Sequence, residues 1–574
     1  MTKERAFQKK RFYCTKDAGA GDGRTRSNGK TRVLRLCTFF FAVFLVVLSV
    51  FSVRPVEGRS SWGDQLRQYE LLSVSMAHGH LYLEEAVPDS LKDLEDPYNY
   101  GSRMAAQTAS GDLYPVDAAY YDGHYYVYFG ITPEILLFLP FRLVTGHVLP
   151  TFLAMLFVSF LFVCGAFAFA EQFLKKYFPS ENSSFIHVFA PLSLIMASGI
   201  LFLDSFPVTY SMPAAEGLML LVWGLYFWLR GNILTGSIFL SLLIGCRPQS
   251  AAAVLLAFPV FWKEIREGKF FRRTRTAVLN TMKVILPFAV SGAFIFWYNA
   301  ARFGSPFEFG YRYLLTTTEV AAQKITWKRI GIGLFLELIE PLNIDSTFPF
   351  LHGAAWTKDY LSVIYIEPFI AGFFALHPVS LFAFGIFGCG KKKPAGEVLR
   401  AEKNMAGPVT GKRRTAEQDT AAAAGFGIVC FFLGFLLVFF DVLSAGISQR
   451  YLSDFGIYFM MAALVTILCI FGKNADQAAG KSALETAGNT AGKSALETAG
   501  NTAGKSALET AGNTAERGAV KTVGRAEIML RIFLTLLLVF DIAVSLLCLI
   551  TDGKYLSMES TNPAVYEALR RLFP

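Results

Sequence analysis

Apolar residues in this chain gather in long unbroken runs instead of alternating with polar ones. Eleven runs stand out, at 34–53, 149–171, 186–203, 213–229, 232–246, 249–263, 280–297, 368–390, 424–446, 454–472 and 528–550. A charge-free run of about 18 residues or more is long enough to cross the hydrocarbon of a bilayer as a helix. The pattern therefore predicts an all-α polytopic membrane protein with about 11 transmembrane helices. The runs at 232–246 and 249–263 only just reach across, and read as a broken pair meeting at one face. Two further apolar stretches carry acids: ITPEILLFLPFRLVTG (131–146) holds Glu134, and RIGIGLFLELIEPL (329–342) holds Glu337 and Glu340. Helices lying at the membrane interface and re-entrant pieces fit both equally well.

The polar segments between the runs set an orientation. KEIREGKFFRRTR (263–275) has six basic and two acidic residues, and 391–414 opens KKKP and ends GKRR. Segment 54–148 has thirteen acidic and six basic residues. Basic segments stay on the cytoplasmic side, so the N-terminus is expected inside and 54–148 outside, at the cell membrane. The basic stretch 1–33 and the run after it lack the short h-region and small-residue cleavage site of a signal peptide, so 34–53 is expected to be a retained helix.

Composition sharpens this picture. The chain has 574 residues, 55 of them Phe, and only 17% are charged. A typical soluble domain carries about 25% charged residues. The net charge of +9 is explained by positive-inside flanks, and no nucleic-acid partner is expected. Most of the eight cysteines lie inside apolar runs and none in 54–148, so no disulfide framework is implied. Residues 479–514 are three copies of AGKSALETAGNT, which offers almost no apolar surface to bury. The expected organisation is a basic tail (1–33), the first helix (34–53), an outer loop with amphipathic or interfacial helices (54–148), and helices two to eight (149–390) with an outer loop at 298–367. A linker (391–423), two helices (424–472), the repeat-bearing linker (473–527), the last helix (528–550) and an outer tail (551–574) complete it.

Candidate chemistry falls on the expected outer side. In GDQLRQYELLSVSMAHGHLYLEEAVP (63–88), the positions of Leu66, Tyr69, Leu72, Val74 and Met76 suit an amphipathic helix with Asp64 at its N-cap. A capping aspartate is the plain reading, and a carboxylate poised as general base near the membrane surface is the functional one. EDPYNYGSR (95–103) and DAAYYDGHYYVYFG (117–130) add Asp96, Asp117 and Asp122. Asp122-Gly123 carries the signal of a two-residue hairpin turn, which leaves Asp117 as the better candidate for chemistry. The tyrosines, Tyr121 among them, suit either an aromatic belt or stacking on a sugar face. Arg247, between the two short runs, and Arg450 in ISQRYLSDFG (447–456) suit a lipid phosphate; Arg247 reads equally as a snorkelling turn residue, and Arg450 as an i,i+4 partner of Asp454. Tyr210, Glu216, Glu367 and Tyr451 fall on the same side. No zinc-type His/Cys cluster, P-loop, G-x-G-x-x-G or G-x-S-x-G occurs.

The basic N-terminus, the single helix and the long outer loop with an Asp just after helix one resemble the GT-C superfamily of membrane glycosyltransferases. That superfamily includes protein mannosyltransferases, aminoarabinose transferases and bacterial relatives. GDQLRQYELLSVSMAHGHLYL resembles their D-E-x-x-Y segment, and ITPEILLFLPFRLVTG the proline-rich stretch that follows. RFGSPFEFGY and QRYLSDF resemble recurrent pieces of bacterial members. The resemblance implies a polyprenyl-phosphate sugar as donor, an outer-face acceptor on an envelope glycan, lipid or protein, and inverting transfer of a hexosyl or pentosyl group. It makes Asp64 the base, Asp96 and Asp117 reserve candidates for a second acid, and Arg247 and Arg450 the holders of the donor phosphate. It leaves room for a divalent cation, Mg or Mn, with no certain cofactor. Two departures stand: Gln65 replaces a frequent Glu, and a single Pro133 replaces a double proline. A divergent transferase and a relative without activity both fit them. A lipid or glycan transporter is the alternative, against which stands the crowding of charges at outer helix ends. A non-catalytic envelope-assembly protein of the same fold is the third.

Overall fold

The structure, a computed structural model, describes residues 21–52, 67–179, 181, 183–316, 326–355, 364, 369–389, 409–444, 446–472, 503–551 and 557–573. It is mostly helical. Seven helices are long and apolar enough to cross a membrane: Gly29–Ser52, Thr151–Tyr177, Ser211–Leu229, Arg275–Phe303, Gln418–Ser444, Gln449–Gly472 and Arg525–Ile550. Four shorter apolar helices, Ser184–Ala197, Ile233–Gly245, Pro248–Val260 and Pro378–Gly388, overlap the runs at 186–203, 232–246, 249–263 and 368–390, of which only the middle two were expected to be short. Proline and glycine account for much of the shortening. Pro191 lies inside Ser184–Ala197, and Gly199, at φ 69°, ends it before a separate turn at Ile200–Asp204. The run at 368–390 becomes a short α-helix, Phe373–Leu376, followed by a tighter 3-10 stretch at Pro378–Gly388.

Small residues bring the helices close, the device that replaces hydrophobic driving force between apolar segments. A methyl group on Gly165 would meet Val222 at 2.6 Å, and one on Gly236 would meet Trp228 at 2.3 Å. One contiguous apolar core results, containing Phe162, Trp228, Phe426 and Phe459. Polar contacts gather at two opposite ends. At the first, Glu171 takes Arg35 (2.9 Å), Lys175 (3.0 Å) and His187 (3.2 Å), while Arg531 bonds Ser183 at 2.6 Å. This end carries KEIREGKFFRRTR, since Lys176 Nζ donates to the carbonyl of Val260 at 3.0 Å.

The other end carries the aromatic stretch. β1 (Ala118–Tyr121) pairs antiparallel with β2 (His124–Val127). Asp122 (φ 50°) and Gly123 (φ 76°) form the turn between them, the left-handed pair that a two-residue hairpin requires. The amphipathic helix in 63–88 is shorter than its pattern suggests, running Gln68–Ala77, with Arg67 in the N-cap position and no side-chain cap. Asp64 lies outside the described residues. The helix is tied down from one side instead. Its Glu70 Oε1 accepts from the Thr151 amide (2.9 Å) and hydroxyl (2.8 Å), so it caps the long Thr151–Tyr177 helix.

Neither acid-bearing stretch is only a surface helix. Residues 134–145 begin as a π-helical turn with Glu134 and Phe138 fully buried, then expose Leu143 and Val144. The Trp327–Ile339 helix exposes both terminal residues but turns Arg329 and Glu337 inward. There Arg329 Nη2 donates to the carbonyl of Leu443 at 3.3 Å.

Candidate functional site at the hairpin end

The two short runs meet at Arg247, which is extended (φ −145°, ψ 117°) between 3-10 segments at Leu242–Gly245 and Pro248–Leu256. This is the broken pair that the pattern predicts. The tighter winding on both sides delivers the arginine to the start of the Gln449–Gly472 helix, where its Nη1 bonds Asp454 Oδ2. Asp454 therefore has a partner on another element, beyond any pairing with Arg450 four residues before it. Asp441, at the end of the preceding span, lies against Asp454 and accepts from Gln249 Nε2 at 3.4 Å. Glu337 reaches the same region, its Oε1 accepting from the amide of Ser448 at 3.1 Å.

Arg450 lies 4.0 Å above the Tyr210 ring and 5.2 Å from the Tyr451 ring, and Arg247 lies 5.6 Å from Tyr451. These are cation–π distances. Tyr128, from the end of the hairpin, closes the group. Burial pushes its hydroxyl up to about 12; neighbouring Tyr311 and Asp117 add to this, and Arg247 and Arg450 oppose it. Asp117 has φ 59° and donates its amide to the carbonyl of Leu315 at 2.8 Å. Arg302 fastens the hairpin to this end, donating to the carbonyl of Val127 at 2.8 Å and to Asn299 at 3.0 Å.

Beside the pair lies a small, partly open cleft bounded by Pro213, Gly217 and Leu221 on one side and by Arg247, Asp454 and Tyr458 on the other. It offers an apolar wall to a chain and a charged rim to a headgroup. The remaining candidates separate. Tyr69 is fully buried, donates to the carbonyl of Gly130 at 2.5 Å and stacks on Phe138. Glu216 is fully buried against the thiol of Cys246 (3.7 Å), behind the cleft. Asp96 is exposed and holds a turn by accepting from the Tyr98 amide at 2.9 Å. Tyr121 joins a separate aromatic patch, 4.6 Å from Tyr313 and 5.7 Å from Phe303. Glu367, like Asp64, lies outside the described residues.

Sequence reasoning passed over Tyr128, Asp441, Gln249 and Glu337. For Asp441 a signal existed: it is a lone acid within FFLGFLLVFFDVLSAG. Tyr128 was one aromatic among many, and only the fold selects it. Among the described residues no group of three His, Cys, Asp or Glu side chains is arranged to hold a metal ion. The acids that meet here are instead arranged around arginines and tyrosines. Comparisons with protein-family models, curated proteins and solved structures find no match for the chain.

Proposed function

We propose that the chain is a multi-pass glycosyltransferase of the GT-C type, moving a sugar from a polyprenyl-phosphate donor to an acceptor hydroxyl on the outer face of the cell membrane. The observation that carries the reading is the meeting of Arg247 and Arg450 with the rings of Tyr210 and Tyr451 and the carboxylate of Asp454, beside a cleft with an apolar wall. A lipid-linked sugar has the matching parts: an apolar tail, a phosphate for guanidinium groups, and a ring for aromatic faces. Arg450, over the Tyr210 ring, is the phosphate ligand the reading assigns, and the Arg247–Asp454 pair shapes the rim. In the transfer step the acceptor oxygen bonds the anomeric carbon from the face opposite the phosphate. The carbon–phosphate-oxygen bond breaks, and the acceptor's proton passes to a carboxylate. Asp64 is the base the resemblance implies, with Asp117 the reserve carboxylate on the hairpin.

The reading includes eleven crossings with the N-terminus in the cytoplasm. Supporting it, Arg35, Glu171, His187 and Arg531 meet at one end of the bundle, as alternation requires of helices one, two, three and eleven. At the other end Glu70 meets Thr151, the Gln68 amide meets Thr209 and Arg247 meets Asp454, as it requires of the outer ends. Binding of purified protein to a polyprenyl phosphate, followed by native mass spectrometry, tests the donor site. Arg450→Gln is expected to weaken binding by about tenfold or more, the loss of a charge-assisted contact worth roughly 1.5–3 kcal/mol. Equal binding by wild type and Arg450→Gln contradicts the assignment. A transporter is the second reading, favoured by one observation, the carboxyl of Asp541 buried inside the last span.

A further inference from the structure

The last span, Arg525–Ile550, turns a regular stripe toward the bundle. Leu534, Leu538, Asp541, Val544 and Cys548 are all buried, at helical spacing, while Ile532, Leu536 and Val539 on the other side are more than half exposed. Four of the five buried positions are apolar or thiol, and the central one is a carboxylic acid. Asp541 is fully buried and neither of its oxygens has a hydrogen-bond partner. It lies ten residues from Arg531, at the basic end, and ten from Thr551, at the other, which is about 15 Å along the helix in each direction.

The residue facing it is His377, whose Nδ1 stands 3.9 Å from Asp541 Oδ2. His377 is 5% exposed, and its Nδ1 also lacks a hydrogen bond. It occupies the break between Phe373–Leu376 and Pro378–Gly388, an interruption that frees a side chain to face inward. Among the described residues His377 is the only ionisable partner of Asp541. The other titratable groups on elements packed against this span are engaged or outside: His187 pairs with Glu171, Asp204 accepts from Ser159, His352 pairs with Asp345, and Glu559 is exposed. On the span itself, Arg531 pairs with Glu527.

We propose that Asp541 and His377 form a proton-binding site in the membrane interior, distinct from the hairpin-end cluster, and that the pair holds one proton between them. An unpaired charge at this depth is costly, and intramembrane ionisable residues are kept for function and face a partner. Without a proton the pair carries a net negative charge, and with two it carries a net positive one. With one it is neutral overall in either arrangement. The two arrangements differ only in where that proton is bound: O–H on the carboxyl beside a neutral ring, or N–H at Nδ1 of a charged ring beside a carboxylate. The ligand of the site is thus a proton, and the site stands or falls independently of the transferase reading.

Infrared spectroscopy of the full-length protein in lipid vesicles, with nitrogen-15 NMR of labelled histidine, reads the proton directly. Wild type minus Asp541→Asn is expected to show either a protonated-carboxyl band with a neutral His377 ring or a carboxylate band with a protonated one, unchanged across the neutral pH range. His377→Gln is expected to shift that same band, which provides the reading if Asp541→Asn does not fold. A carboxylate with a neutral ring, a protonated acid with a charged ring, or a difference spectrum without a carboxyl signal overturns the proposal.

Discussion

Single side chains at the hairpin end join elements that the chain keeps far apart. Glu70 is the clearest case, since one carboxylate oxygen satisfies both the amide and the hydroxyl of Thr151. Replacing a cap of this kind costs about 1–2 kcal/mol. Glu70→Ala is therefore expected to lower the thermal unfolding midpoint of the detergent-solubilised protein, and an unchanged midpoint would show that the cap carries no weight. Glu134 offers a pH test. Burial raises its carboxyl from 4.5 to about 9 in the folded chain, so the folded state binds more protons than the unfolded one between those values. Stability is full below the lower value and falls as pH rises through that window, with a slope of at most about 1.4 kcal/mol per pH unit. Glu134→Gln is expected to flatten the dependence between the two values, read as unfolding midpoint against pH. A parallel curve for both proteins would refute it.

At the scale of elements, the hairpin and the broken pair press against each other through glycine. A methyl group on Gly130 would fall 2.2 Å from the carbonyl oxygen of Gly245 and 2.3 Å from that of Cys246. Gly130→Ala must push the hairpin loop off the turn that presents Arg247, a strain of roughly 1–3 kcal/mol. It is expected to reduce both stability and donor binding. Gly292→Ala, where nothing lies within 4 Å, serves as the control and is expected to leave both intact. Much at this scale was legible in the sequence. The Asp122-Gly123 turn, the break at Arg247 and the long apolar spans all follow from local chemistry, because a turn or a lipid-spanning run is specified by adjacent residues. One signal was present and not used: the run at 368–390 contains His377-Pro378, and a proline there ends a helix at the residue before it. The placing of Arg450 over Tyr210 and of Arg247 beside Tyr451 was not legible, since each joins positions more than two hundred residues apart and no local pattern encodes it.

For the whole molecule, the bundle has one basic end and one end rich in tyrosines and acids, and the proposed function requires the latter to face outward. An impermeant thiol reagent is expected to label Asp122→Cys from outside intact cells and Lys269→Cys only after permeabilisation; both positions are exposed. The reverse pattern would remove the hairpin end from the outer face. The most direct test of the central claim is sugar transfer itself. Wild type, Asp64→Asn and Asp117→Asn, in equal amounts in membranes, would be given labelled polyprenyl-phosphate sugars, and label in membrane acceptors followed. Transfer by wild type, with a loss of about a hundredfold or more in at least one variant, the scale of a missing general base, is the predicted result. No transfer by wild type from any of these donors, or equal transfer by all three proteins, would contradict it.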